Sequence, residues 1–407
     1  MGWVETAFVL IAETVSLGIL SLPSTLDAVG LIPGVILLIS LGIIATYTGY
    51  VLGQFKLKYP QVHTFADAGM ICFGPPGYYI CAIGQVLFLV FIMAAHILSF
   101  SIMCNVISDH SMCTIIFSAI GLALSAFGTI PRTMKGTVLM SYLSSASVLG
   151  AVFICMFGVG LAPGANSVTF KWFNRGTQFY TAFGAVTNII FAYAGHVAFF
   201  MVFSEMKEPK HFWKSLYALQ ILEIILYTVT AIVIYRFTGS GVKSPALGST
   251  SPLLSKIAYG IASPTIVVAG IINGHVAVKF LFMIFAKKRP HLVSSNGFAA
   301  NALWIGILVA LWIVAWVIAS AIPVFNHLLG LISALFLSWF TYGISGYFWM
   351  YMNWGRLWAT RWNMMLTVLN AGIMCMGSVI MVLGLYSSVK AMVNEKGSGC
   401  FSCADNS

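Results

Sequence analysis

Charge is what this sequence lacks. Only 7% of its 407 residues are charged, and just ten are Asp or Glu. Soluble proteins carry roughly 25%, and a water-exposed surface of this size cannot be made from so few charges. The same scarcity excludes disorder, because disordered chains are polar and charged. It also excludes the pair of soluble domains that length alone would allow. Regular alternation of apolar and polar residues is missing too, which rules out a transmembrane barrel. What is present is 60% apolar residues, gathered in long unbroken runs. That is the composition of an all-α, polytopic membrane protein whose solvent is the lipid bilayer.

A net charge of +10 could point to nucleic acid. The basic residues are not gathered in one segment, however. They fall in short groups between apolar runs, as membrane anchors do, so no nucleic-acid partner is expected. Of the eight cysteines, Cys72, Cys81, Cys104, Cys113, Cys155 and Cys375 lie in or beside apolar runs and read as small hydrophobes. Cys400 and Cys403 form a CxxC in the tail, which reads as two thiols on a flexible segment. No cofactor motif is found. His63 and Asp67 are too weak a pair for a metal site and read as solvated loop residues.

A spanning helix needs about 20 mostly apolar residues. About eleven such runs occur: 5–26, 31–54, 77–107, 112–130, 137–161, 178–203, 213–237, 252–282, 300–321, 324–349 and 364–389. Gly74-Pro75-Pro76, Pro131, Pro163-Gly164 and Pro323 punctuate them. The first run lacks the basic leader of a signal peptide and carries Glu13 inside its apolar stretch, so it reads as a retained helix. The chain then begins almost inside the membrane, with a polar tail over 390–407. With the N-terminus placed in the cytosol, thirteen of the twenty Lys and Arg fall on the cytosolic side and seven on the other. Lys135 and the Lys287-Lys288-Arg289 cluster are among the thirteen and Lys396 among the seven. The bias predicts a cytosolic N-terminus and a C-terminus on the opposite side.

Two runs differ from the rest. In the first, AETVSLGILSLP (12–23) crowds Ser16, Gly18, Ser21 and Pro23 into the middle of a membrane helix. In the sixth, FAYAGH (191–196) places Gly195 and His196 near mid-membrane. A break at that depth frees backbone groups and is tolerated only around a cavity. Residues 5–161 hold five runs and 178–349 hold five more, so each break comes first in its half. An odd number of spans per half inverts the second half relative to the first. Interrupted helices at corresponding positions of inverted halves mark a transporter binding site. Half-helix N-termini suit a carboxylate, and free carbonyls suit an ammonium. An α-amino acid satisfies both.

The strings AETVSLGILSLP (12–23) and FAYAGHVAFFMVFSEMKEP (191–209) resemble the amino acid/auxin permease family, most closely its fungal neutral amino acid permeases. The likeness covers essentially the whole membrane region. It implies eleven helices in the 5+5 inverted-repeat, LeuT-like fold, plus secondary active transport of amino acids, commonly driven by protons. Members of the fungal branch usually carry a longer N-terminal tail, so a shortened N-terminus is expected here. Sodium-coupled members resemble N-x-x-x-G-x-x-I-L in the first helix. Here Ala12 stands where that Asn would fall and Ser16 replaces the Gly, which favours protons over sodium.

Glu13 is the sharpest candidate for proton coupling. An ionised carboxylate at mid-helix costs on the order of 2.5–3.5 kcal/mol on the insertion scale, so it is expected to face a cavity. The plainer reading is a structural carboxylate paired with a neighbour. His196 titrates in the right range for a relay, and the family places a histidine there, but it also reads as an interhelical hydrogen-bonder. Thr14, Ser16, Leu17 and Gly18 are expected at the substrate's backbone groups, against the alternative of a small-residue helix interface. Phe191, Ala192, Tyr193 and Gly195 on the sixth run and Asn273 on the eighth complete the predicted substrate site, each with packing as its alternative. His96 is a lone polar residue in the third run. Glu223, in the seventh run, is a second intramembrane acid with nothing in the sequence to place it beside the breaks.

No nucleophile–base pair, acid pair or metal-ligand set recurs at one depth, so an enzyme is not expected. No repeated filter element is visible, which argues against a channel. The expected function is proton-coupled symport of neutral amino acids by alternating access, in the plasma membrane rather than the vacuolar one. The neutral class follows from the absence of a further acid or base beside the breaks. A sodium-coupled transporter and an amino-acid sensor built on the same fold stay open as alternatives.

Overall fold

The computed structural model describes residues 1–132, 137–286, 297–394 and 399–406. Lys135, Lys287, Lys288, Arg289 and Lys396 lie outside them. The described residues are helical, with no strand among them. Among the described residues nine helices are long and apolar enough to cross a membrane. Two further crossings fall short of that length. Helix α5 (Thr114–Thr129) is one, and the broken first span is the other. Together they match the eleven runs expected from the sequence.

The first span is α1 (Trp3–Thr14), a 3-10 turn (Leu17–Leu20) and α2 (Leu22–Val29). Then follow α3 (Leu31–Lys58), α4 (Phe65–Ser108), α5 and α6 (Thr137–Gly160). The sixth span is α7 (Phe179–Ala192) and α8 (His196–Ser204). Next come α9 (Phe212–Thr238), α10 (Pro252–Ala286) and α11 (Phe298–Ala321). The tenth span is α12 (Phe325–Ile332), a π-helical stretch (Ser333–Gly343) and α13 (Ile344–Met352), and α14 (Arg361–Asn394) closes the order.

The third span begins earlier than its apolar run. Thr64 and Asp67 form a capping box at the start of α4, the Thr64 N–H donating to Asp67 Oδ2 at 2.9 Å. Asp67 is thus a helix cap and not a solvated loop residue. Gly74, at φ +68°, kinks α4 just before Pro75 and Pro76. Proline cannot continue the ladder behind it, and glycine tolerates that φ. The eleventh helix packs closely on the tenth span. A β-carbon added at Gly377 would lie 2.6 Å from the Ser338 carbonyl oxygen, and one at Gly346 2.6 Å from that of Asn370. Small residues let α14 lie directly against the tenth span, which is how membrane helices gain packing energy.

The connections define two faces. On one, the N-terminal amine donates to the Glu205 carbonyl (2.7 Å), and Lys58 Nζ donates to the Met352 carbonyl (2.5 Å). On the other, Lys256 pairs with Asp109 at 2.6 Å. There too the C-terminal tail folds back over the ends of α4, α5 and α11. Phe401 N–H donates to the Ser320 carbonyl (3.0 Å), Thr114 Oγ1 to the Ala404 carbonyl (2.7 Å), and Asn105 Nδ2 to Asn406 Oδ1 (2.8 Å). Cys403 is disulfide-bonded to Cys113. This corrects two expectations at once: Cys113 is not a small hydrophobe, and the tail is not free. Six other cysteines are unpaired. Mass-tag alkylation of denatured protein should therefore modify six thiols before reduction and eight after. Eight without reductant would dissolve the tether.

Candidate functional site

Both breaks form where the backbone leaves helical angles. Val15 (φ −77°, ψ 83°) and Ser16 (φ −136°, ψ −124°) end α1 before the 3-10 turn restarts the span. Tyr193 (φ −92°, ψ 24°) ends α7, and α8 restarts at His196. Each restart opens on backbone N–H groups that have no partner within their own helix.

The breaks interlock. A β-carbon added at Gly18 would lie 2.6 Å from Ala192 Cα, and one at Gly195 would lie 2.2 Å from Thr14 Cγ2. Glycine at both positions is what lets the crossing close. Tyr227 of α9 sits behind it, its hydroxyl 3.1 Å from the Ala192 carbonyl and 3.4 Å from that of Thr14.

A cavity of about 1090 Å³ reaches the crossing. Its inner wall carries Glu13, Thr14, Ser16, Leu17, Gly18, Phe191, Gly195 and Asn273, all predicted from the sequence. It runs out past Arg132 and Lys279 to the exposed His63 and Glu205, on the face that holds the N-terminus. Toward the other face the site is closed. Asn174 Nδ2 and Thr177 Oγ1 bind the carbonyls of Asp27 (2.9 Å) and Ala28 (2.6 Å) at the end of α2. Asn326 Nδ2 donates to Ser24 (3.3 Å) and its Oδ1 accepts from Ser244 (2.6 Å).

Among the described residues Glu13 has no hydrogen-bond or ion-pair partner, and its carboxyl fronts the cavity. Ser16 Oγ is likewise buried without a partner. Asn273 donates to its own helix at Ala269 (2.9 Å). Three predicted residues are not on the wall. Ala192 is packed beneath Gly18. Tyr193 turns to α3 and donates to the Leu38 carbonyl at 3.0 Å. His196 also turns to α3, its Nε2 lying 2.9 Å from Thr48 Oγ1 and 3.0 Å from the Ala45 carbonyl. The course of the chain through the break, from the end of α7 at Tyr193 to the start of α8 at His196, aims both away from the cavity.

The wall also includes residues that the sequence did not single out as a site. Gln85 of α4 is buried, with an unpartnered Oε1, and His96, about three turns along the helix, donates from Nδ1 to the Ile266 carbonyl (2.9 Å). A lone Gln within an apolar run was the available signal. Phe88 and Ile92 stand between them on the same wall. Glu223, which the sequence could not place, adjoins the breaks through Tyr227. No group of three or more potential metal ligands exists among the described residues.

Residues 1–390 match the family model described as "Transmembrane amino acid transporter protein". The chain belongs to this family. It is 35% identical to the N amino acid transport system protein of Neurospora crassa, across 99% of this chain and 88% of that one. It is 25% identical to amino acid transporter AVT1H of Arabidopsis thaliana, across 95% and 89%. Among solved structures it is similar to MhsT in complex with L-phenylalanine, with a TM-score of 0.59 at 12% identity over 95% of this chain and 98% of that one. The Eremococcus coleocola manganese transporter gives 0.58 at 12% identity, over 97% and 87%. At such identity the likeness concerns the fold, which is the 5+5 inverted-repeat, LeuT-like arrangement with an extra helix. The transporter is thus an integral multi-pass membrane protein that carries amino acids and is not an enzyme.

Proposed function

We propose that the transporter takes neutral amino acids into the cytosol together with protons, by alternating access between residues 5–161 and the inverted 178–349. The observation that carries this reading is the pair of interlocked breaks at the head of a cavity open on one face and closed on the other. The N-terminal face is read as cytosolic. The distribution of Lys and Arg supports that, and so does the Cys113–Cys403 disulfide on the other face, since such bonds persist in oxidising compartments. The plasma membrane is the proposed location, and localisation of a tagged chain tests it.

In this reading the substrate carboxylate meets the N–H groups opening at Leu17, Gly18 and the start of α8, where the helix ends are partly positive. The ammonium faces Ser16 Oγ. Phe191, Phe88 and Ile92 receive the side chain, and Asn273 stands on the facing wall. Around the breaks Glu13 is the one ionisable side chain of the wall among the described residues, so no further charge is left to match a charged side chain. That favours neutral substrates. Glu13 is the proton carrier: an acid with no ion-pair partner among the described residues, on the wall of the open cavity. Thr14, Ala192, Tyr193 and His196 serve by fixing the broken ends against each other and against α3. In the outward state Glu13 gains a proton and the amino acid binds; the breaks then pivot and both ligands leave through the cavity described above. Two ligands are coupled when both favour the same transition.

The test is uptake into proteoliposomes under an imposed pH gradient without sodium. One pH unit is worth about 1.4 kcal/mol per proton, enough for roughly tenfold accumulation of a neutral solute. Accumulation of that order, abolished by a protonophore, is expected. Uptake that needs sodium and ignores the gradient would refute proton coupling. Saturable binding without any uptake would favour the sensor reading.

A further inference from the structure

An acid lies directly behind the two breaks. Glu223 of α9 is 0% exposed and is not on the cavity wall. Its Oε1 is 3.3 Å from the hydroxyl of Tyr227, one turn along the helix. Its Oε2 has no hydrogen-bond partner among the described residues. The same Tyr227 hydroxyl is 3.1 Å from the Ala192 carbonyl and 3.4 Å from the Thr14 carbonyl, the last residues of α7 and α1. The titratable groups around the carboxyl are Tyr227 on its own helix and Tyr193 at the sixth-span break. From α1 it meets Thr14, which does not ionise. From α2, α3 and α6 no charged side chain reaches it among the described residues, and α3 instead offers Thr46 to the neighbouring Gln220.

We propose that Glu223 and Tyr227 form a second proton-binding site, and that its occupancy decides whether the Ala192 carbonyl at the end of α7 is capped, the Thr14 carbonyl at the end of α1 already accepting from the Ser16 N–H at 2.9 Å. A tyrosine hydroxyl has one proton to donate, and three acceptors surround this one. With Glu223 ionised, that proton goes to the carboxylate, because a charge-assisted bond is the stronger. The Ala192 carbonyl is then left without it. When the carboxyl takes up a proton, its own O–H donates to the tyrosine oxygen. The tyrosine proton is released to the Ala192 carbonyl. One proton is gained, one donor reverses direction, and no covalent bond other than the new O–H changes. Because Thr14 and Ala192 end the half-helices that meet at the crossing, the switch acts on the joint about which they pivot. Among the described residues no basic side chain reaches the carboxyl, so a proton is what would neutralise it there.

This inference rests on the proton-coupled reading, and the experiment separates the two. Purified protein is titrated in infrared difference spectra that report the C=O stretch of protonated carboxyl groups. Wild type, Glu13→Gln, Glu223→Gln and Tyr227→Phe are compared. A titrating band present in wild type and Glu13→Gln but missing from Glu223→Gln is expected, with its frequency moved in Tyr227→Phe. In vesicles, Glu223→Gln is expected to lower gradient-driven uptake about tenfold. Titrating bands identical in wild type and Glu223→Gln would overturn the site. If Glu223→Gln does not fold, Tyr227→Phe, which preserves shape, decides: a band unmoved by it overturns the proposal. A Glu223 band that titrates in a wild type indifferent to the pH gradient would uphold the proton site and remove the coupled-transport reading instead.

Discussion

Gly18→Val is expected to abolish uptake while leaving membrane insertion and expression intact. The reason is backbone and not side-chain crowding. A single β-carbon at this position would lie 2.6 Å from Ala192 Cα and 3.3 Å from the Ala192 nitrogen. A flexible neighbour could swing aside, but main chain cannot, so the broken spans must separate. Overpacking of this kind costs about 1–3 kcal/mol even where side chains can adjust, and each 1.36 kcal/mol is tenfold in rate. A loss of at least about tenfold, and larger for valine than for alanine, is the expected outcome. Gly195→Val should lower uptake less than Gly18→Val, since its β-carbon would meet the Thr14 side-chain methyl at 2.2 Å rather than main chain. Gly184, with nothing within 4 Å, is the control, and its alanine variant should transport normally. Initial-rate uptake, normalised to protein in the membrane, provides the measure. A fully active Gly18→Val would show that the two breaks do not need their present contact.

Glu13→Gln is expected to remove accumulation without removing recognition. Glutamine keeps the shape and hydrogen-bonding reach of the carboxyl but cannot take up or release a proton at this position. The gradient then has nothing to act on through Glu13, and the ratio of internal to external substrate should fall from roughly tenfold per pH unit to about one. Exchange of labelled for unlabelled amino acid needs no net proton movement and should persist. Cavity position matters to this prediction: Glu13 fronts the cavity and has no partner among the described residues, so its loss orphans no neighbour. Proton-driven accumulation that survives in Glu13→Gln would take the residue out of the coupling step. Loss of exchange as well would make it a binding or structural residue.

The breaks were legible in the sequence because their causes are local. Ser16, Gly18, Ser21 and Pro23 cannot sustain a continuous ladder, and FAYAGH brings a glycine to the same depth of the sixth run. Thr14, Ser16, Leu17, Gly18, Phe191, Gly195 and Asn273 accordingly stand on the cavity wall with Glu13. The aim of individual side chains was not legible. Tyr193 and His196 lie in the right segment yet point to α3, at Leu38, Ala45 and Thr48. Which face of a short half-helix meets the cavity depends on how it rotates against its neighbours, and no spacing in FAYAGH records that. Gln85 and His96 reached the wall from the third span for the same reason.

By itself the sequence determined the class of molecule, the number of crossings and the place of the breaks in the first and sixth spans. All three follow from composition and from runs a few tens of residues long, where the bilayer acts on each segment separately. Tertiary structure alone decided three other matters. It put Glu223 behind Thr14 and Ala192 through one tyrosine hydroxyl. It joined Cys113 to Cys403 across a separation of 290 residues. It also left one face of the cavity open and tied the other shut at Asp27 and Ala28. Each of these is a contact between segments remote in the chain, set by which helices pack together, and packing between distant helices leaves no local pattern to read.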